Sequence, residues 1–157
     1  MKDQLAKIRV VVRDYRQEDW PRLQVIHDAA RRNELRLAGL EEAFLPLTAA
    51  AEAEGLFDYT MRVALLEGTA AGFSAFAEGE LAWLYVDPAL SRRGVGTRLV
   101  QDALEHLKRP VTVEVLAGND PARLLYERCG FRLIETVSGR MPGNESFSVT
   151  CHVLRLD

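Results

Sequence analysis

Leu81-Ala82-Trp83-Leu84-Tyr85-Val86, then Asp87 to Arg93 (DPALSRR), Gly94-Val95-Gly96, and Thr97 to Leu107 (TRLVQDALEHL) form the stretch on which the fold turns. Leu81 to Val86 is apolar throughout, which suits a strand covered on both faces, and Asp87-Pro88 ends it. Leu99, Val100, Ala103, Leu104 and Leu107 recur at the spacing of an amphipathic helix, and Pro110 stops it. Gly94-Val95-Gly96 lies between the two. A helix start leaves N–H groups without partners, and aligned peptide dipoles add partial positive charge there. Glycines let an anion approach those amides. The spacing therefore predicts a phosphate over Arg93 to Thr97, with the Thr97 hydroxyl as a further donor. A dinucleotide fingerprint needs a third glycine where Leu99 stands, and a P-loop needs Gly-Lys-Ser/Thr, which is absent. Gly-Val-Gly alone fits a plain tight turn as well as an anion site. The strand–loop–helix setting favours the anion.

Working outward, Ile8 to Val12 reads as a first strand. Asp19-Trp20-Pro21 reads as an acid-capped helix start with Trp20, Leu23, Ile26 and Ala30 on one face. Glu34 to Gly55 reads as a second helix interrupted by Pro46. Thr60 to Leu66 and Ala71 to Ala77 are strands joined at Glu67-Gly68-Thr69-Ala70. Beyond the central stretch come a strand at Val111 to Leu116 and a short helix opened by Asp120-Pro121 and closed by Gly130. Two more strands, Phe131 to Val137 and Phe147 to Leu154, are joined by SGRMPGNES. The order β-α-α-β-β-β-α-β-α-β-β specifies a mixed α/β (α+β) sheet flanked by helices, not a doubly wound parallel one.

With 157 residues, 48% apolar and 27% charged, the chain reads as a single soluble domain over 1–157. A net charge of −3 argues against a general nucleic-acid binder, although Arg31, Arg32, Arg92 and Arg93 cluster in sequence. No run is long enough to span a bilayer, and MKDQLAKIRVVVRDY lacks the apolar stretch of a signal peptide. Cys129 and Cys151 form no Cys-x-x-Cys, and His27, His106 and His152 have no metal-ligand spacing. A reduced cytoplasmic setting, with no metal, no membrane and no nucleic acid, is the expectation. A homodimer is left open.

Leu84-Tyr85-Val86-Asp87-Pro88 and Arg92-Arg93-Gly94-Val95-Gly96-Thr97, followed by the helix to Leu107, resemble the pyrophosphate motif of the GNAT superfamily of acyl-CoA-dependent N-acyltransferases. Asn119-Asp120-Pro121-Ala122 and Tyr126-Glu127-Arg128-Cys129-Gly130-Phe131 resemble its next block, an Asn before a short helix that carries Tyr and ends in Gly-Phe. Ser91 departs from the pattern, standing where the family usually has Gln or Arg. The resemblance covers roughly residues 80 to 137. It implies a mostly antiparallel sheet splayed between strands 4 and 5, acetyl-CoA as co-substrate, and direct acetyl transfer to a primary amine of a small molecule or peptide. It also implies that pantetheine inserts beside the strand ending at Val86, with contacts along Leu84, Tyr85 and Val86. One amide there would polarise the thioester carbonyl. The pyrophosphate would lie on Arg92, Arg93, Gly94, Val95, Gly96 and Thr97.

In the family the Tyr matching Tyr126 protonates the departing thiolate. With ordinary pKa values of about 8.5 and about 10, that transfer is uphill by roughly 2 kcal/mol, which a positioned hydroxyl can supply. The bland alternative is a packed helix tyrosine. Glu80 sits where some members carry a catalytic glutamate, and a solvated turn residue is its alternative. Asn119 contacts cofactor or caps its helix, and Ala122 shares the face of Tyr126. Arg92, Arg93 and Arg128 either meet phosphate or are solvated. The acceptor wall falls between His27 and Glu42 and at the last strand pair, with Glu34, Arg140, Asn144 and Glu145 as candidate substrate-binding residues. Trp20 and Trp83 read as core, and Cys129 as a packed thiol. Two rival readings remain: a non-catalytic acyl-CoA sensor of the same fold, and a DNA-binding module that the charge balance does not favour.

Overall fold

The computed structural model describes residues 9–157, so Ile8 of the expected first strand and the leader reading of residues 1–8 lie outside the described residues. Seven strands, β1 (Val10–Asp14), β2 (Thr60–Leu66), β3 (Thr69–Ala77), β4 (Glu80–Val86), β5 (Val111–Leu116), β6 (Arg132–Met141) and β7 (Asn144–Leu156), form one sheet in the order β1-β2-β3-β4-β5-β7-β6. Every neighbouring pair is antiparallel except β4 and β5. Four helices flank it: α1 (Trp20–Leu37), α2 (Leu47–Ala53), α3 (Val95–His106) and α4 (Asp120–Arg128).

Strands β2, β3 and β4 are covered on both faces, as the unbroken apolar β4 requires, whereas β6 is exposed along most of its length. Leu23 and Ile26 of α1 and Leu47 of α2 pack on Phe73 and Trp83. On the opposite face Val100 and Ala103 of α3 and Tyr126 of α4 pack on Phe76, Val113 and Leu154. Element order agrees with the sequence, but the helical limits before β2 do not. The Ala-, Leu- and Glu-rich run from Glu34 first completes α1, and left-handed Gly39 lies just beyond its end. A new helix then starts after Pro46, with extended backbone at that residue. Its first N–H, on Leu47, donates to Asp28 Oδ1 at 2.9 Å, so α1 itself caps α2. Asp19 makes no side-chain cap to α1. Its carboxylate instead takes both Arg13 Nη atoms at 2.8 Å and the Arg16 N–H at 2.8 Å.

The parallel pair β4–β5 is joined at one register position only, Glu80 opposite Thr112. There the Thr112 N–H donates to the Gly79 carbonyl at 2.9 Å. Beyond that rung the strands part, and the sheet opens as a wedge between its fourth and fifth strands.

Candidate acyl-carrier and acceptor site

Ladder alternation decides which amides face the wedge. The Asp87 N–H donates to Ala71 at 2.8 Å, so the hydrogen-bonded positions of β4 toward β3 include Tyr85 and Trp83. The N–H groups of Leu84 and Val86 therefore turn toward the opening. Across it, the Ala117 N–H donates to Thr150 at 2.9 Å, which turns Val113 and Val115 toward β7 and leaves Glu114 and Leu116 facing the wedge. Both walls offer main-chain donors and acceptors to an extended guest.

At the wide end the chain turns through Ser91, Arg92 and Arg93, all exposed, into α3. Gly94 is the N-cap at φ 83 and ψ 6, with nothing within 4 Å of where a Cβ would stand. The Arg98 N–H donates to the Gly94 carbonyl at 3.0 Å, and the N–H groups of Val95, Gly96 and Thr97 precede that first helical bond. Gly96 has a different reason to be glycine. A Cβ there would lie 3.0 Å from Leu125 Cδ2, so the bare backbone lets α3 and α4 approach each other across the wedge. The sequence alone pointed to anion access for both glycines; packing against Leu125 is an additional reason at Gly96.

Helix α4 borders the wedge on the β5 side. The Asn119 side chain accepts from the Ala122 N–H at 3.4 Å and caps the helix, while its Nδ2 donates to Glu34 Oε2 at 3.3 Å. One turn after Ala122 comes Tyr126, 6% exposed, its ring edge-on to Phe131 at 5.7 Å. The Phe131 N–H closes the helix on the Tyr126 carbonyl at 3.0 Å, and left-handed Gly130 makes that turn possible. The Tyr126 hydroxyl makes no side-chain hydrogen bond among the described residues. Burial, then the charge of Glu34, push its pKa well above the ordinary phenol value. The same two causes, in the same order, raise that of Tyr85. Glu34 thus lies within electrostatic reach of both phenols.

Glu34 is itself held. Arg31 Nη1 donates to its Oε1, and burial raises its carboxyl pKa against the opposing pull of Arg31. On the α1/α2 side of the sheet, His27, Arg31, Glu54, Tyr85, Met141 and Pro142 line a pocket roofed by the β6–β7 turn. His27 is 2% exposed and edge-on to Tyr85 at 4.7 Å. Its pKa is lowered by burial, against the raising effect of the Asp28 carboxylate at 2.9 Å from Nδ1.

The other sequence-derived candidates fall elsewhere. Glu80 stands at the closed end of the wedge, beside the single β4–β5 rung. Leu81 packs toward α3 and α4, so Glu80 turns to the opposite face. Its pKa is raised by burial and then by Glu114. Asn144 Nδ2 ties the β6–β7 turn to the Ala43 carbonyl at 2.9 Å. Arg140 is exposed and donates to Ser148 Oγ at 3.1 Å, and Glu145 accepts from the Gly143 N–H at 3.2 Å. Arg31 lies within the wall expected between His27 and Glu42, whereas Glu54 and the Glu34–Asn119 contact had no signal of their own in the sequence, since the partners of that contact stand 85 positions apart. Among the described residues no group of His, Cys, Asp and Glu is placed to hold a metal, and no helix is long and apolar enough to cross a membrane.

Comparison with known proteins agrees with this architecture. The structure is similar to a GCN5-related N-acetyltransferase from Rhodopseudomonas palustris, with TM-score 0.71, 24% identity, and 91% of this chain and 93% of that one covered. It is also similar to a ribosomal-protein-alanine N-acetyltransferase from Brucella melitensis, with TM-score 0.67, 20% identity, and coverage of 93% and 98%. A third similar structure is yncA from Salmonella typhimurium, described with its cofactor acetyl-CoA, with TM-score 0.65, 15% identity, and coverage of 94% and 93%. Among curated proteins none matches the sequence significantly. The family model described as "Acetyltransferase (GNAT) family" matches residues 12–131. A match over most of the chain, on a sheet that opens between β4 and β5, places this protein in the GNAT acetyltransferase family.

Proposed function

We propose that the protein transfers an acetyl group from acetyl-CoA to a primary amine of a small molecule or peptide by direct attack, in the cytoplasm. The observation that carries this reading is the one-rung wedge, with the Leu84 and Val86 amides on its wall and Tyr126 on the helix that borders it, its hydroxyl without a side-chain hydrogen bond among the described residues. Acetyl-CoA supplies the activated acyl group, and every other part belongs to the chain. Amides at Val95, Gly96 and Thr97 bind the pyrophosphate, with Arg92 and Arg93 close in sequence as cations. The Leu84 and Val86 amides orient the pantetheine arm as an added strand. An amide left free in the cleft stabilises negative charge developing on the thioester oxygen.

Tyr126 holds a proton beside the leaving sulfur. Its raised pKa keeps the hydroxyl protonated at any ordinary working pH. The cost is a weaker acid than a free phenol, so the transfer relies on position as the C–S bond breaks. Among the described residues neither thiol is set up as a covalent acyl carrier: Cys129 closes α4 and Cys151 lies in β7, each with its pKa raised first by burial.

Calorimetric titration with acetyl-CoA, paired with detection of released CoA thiol over an amine panel, tests this directly. Binding with turnover on a primary amine is expected. Binding with no turnover on any amine would leave a sensor, and no binding would remove the reading. Gly94→Val gives a sharper check. A β-branched residue at φ 83 forces the loop to move, and acetyl-CoA affinity is expected to fall about tenfold, equivalent to about 1.4 kcal/mol.

A further inference from the structure

His27 has no part in acyl-carrier binding or thiolate protonation, yet this 2% exposed ring lines the pocket beneath the β6–β7 turn. Its two nitrogens are in different states. Nδ1 lies 2.9 Å from Asp28 Oδ1, which also accepts the Leu47 N–H at 2.9 Å. A carboxylate only accepts, so Nδ1 carries the hydrogen and Nε2 of the neutral ring is a bare lone pair. The cap on α2 holds Asp28, and Asp28 in turn fixes the tautomer and the direction of the ring. Nε2 makes no side-chain hydrogen bond among the described residues. Of their side-chain polar atoms, Ser74 Oγ is the one both sealed from solvent and unpartnered, so Nε2 opens onto the pocket that its ring lines. That pocket reaches the wedge through Tyr85. The phenol ring stands edge-on to His27 at 4.7 Å and lines the same space, and its residue lies between Leu84 and Val86, whose amides face the opening. Glu80 stands instead at the closed end, beside the single rung, and does not line this pocket.

We propose that His27 is the general base of the transfer, its Nε2 taking the proton that the acceptor nitrogen loses, directly or through one water. The inference rests on the acetyl-transfer reading. The charges facing the ring leave it a base at neutral pH. Burial lowers its pKa first, Asp28 raises it, and Arg31 of α1 lowers it. Glu54 of α2 and Tyr85 of β4 complete the titratable lining, the phenol kept protonated by burial, while Met141 and Pro142 of the turn bring no charge. The amine lone pair forms the C–N bond as the C–S bond breaks. One nitrogen proton goes to Nε2, and the Tyr126 proton goes to sulfur. The imidazolium then releases its proton to solvent through the pocket, and the phenolate regains one. One amine and one thioester give one amide and one thiol.

His27→Gln tests this with the full chain, acetyl-CoA and the amine of the panel that the wild type turns over best. The acetyl-CoA dissociation constant is expected to stay within about twofold, and kcat/KM at about pH 8 to fall at least about 10²-fold. The ratio of wild-type to variant kcat/KM cancels the amine's own titration. Loss of a base makes that ratio shrink about tenfold per pH unit below the His27 pKa, which lies under the ordinary value of about 6.5. A packing role would leave the ratio flat. A loss under about threefold, or a ratio independent of pH, would overturn the inference while leaving acetyl transfer intact. If the variant does not fold, Asp28→Asn decides, with the His27 ring followed by NMR. Asn keeps an oxygen for the Leu47 N–H but lacks the charge that raises the His27 pKa, so the ring titration and the acid break of kcat/KM should move together to lower pH. A break that stays in place, or that departs from the ring titration, would equally overturn it. Turnover of no amine by the wild type would remove the transfer reading itself, and the inference with it.

Discussion

Tyr126→Phe is expected to lower kcat by about 10²–10⁴-fold while leaving the dissociation constant for acetyl-CoA within about twofold. The ring is held on Phe131 and the helix end on the Tyr126 carbonyl, so Phe fills the same space and only the hydroxyl is lost. That hydroxyl makes no hydrogen bond among the described residues, so its removal orphans no protein group, and the variant should melt within about 1 °C of the parent. Single-turnover measurement of thiol release separates the chemical step from product release. An unchanged rate would take the proton-donor role away from this residue. The pH dependence has a definite sign. The folded pKa of Tyr126 is raised, first by burial and then by Glu34, so the group stays a proton donor past the ordinary phenol value of about 10. Activity should show no alkaline loss from this group up to that pH. The linked stability is fully present below about pH 10 and is lost as pH rises through the higher folded value.

The parts of the fold legible in advance are those written on one continuous stretch. Strand β4, the glycine turn and α3 follow one another, so an apolar run, two glycines and a helical repeat were enough to place a buried strand before a helix start, and the opening beside that strand was implied by the family resemblance. The sequence could not supply what depends on two distant elements meeting. Glu34 acquires its meaning only where α1 passes the start of α4 and Asn119 takes its second oxygen. Gly96 reads as phosphate access alone until Leu125 is seen against it, a packing demand that adds to that reading. The helix expected from Glu34 to Gly55 has helix-forming composition throughout. It nevertheless breaks, because Gly39 follows the end of α1 and Asp28 of α1 caps a second helix after Pro46. Propensity reports which residues tolerate a helix; tertiary contacts decide where one ends.

Asp102 shows the same lesson with an energetic consequence. Its place on α3, between Val100 and Ala103 of the buried stripe, leaves it 2% exposed. The carboxylate takes Arg62 Nε at 3.0 Å and Nη2 at 2.8 Å, a two-pronged clamp from β2 onto the helix whose first turn is assigned to the pyrophosphate. Removing one partner of a buried pair strands the other's charge, at a cost of about 3–5 kcal/mol. Arg62 keeps a second carboxylate, Asp14 at 2.7 Å, but that residue is 84% exposed and compensates weakly. Asp102→Ala is therefore expected near the lower end, about 3 kcal/mol, which in a domain of this size lowers the melting temperature by about 6–12 °C. Saturating acetyl-CoA binds only the folded state, so it should raise the melting temperature of both proteins and leave most of the gap between them. A gap under about 2 °C by calorimetry would mean that apolar packing alone seats α3, and that the clamp contributes nothing to holding in place the turn proposed to bind phosphate.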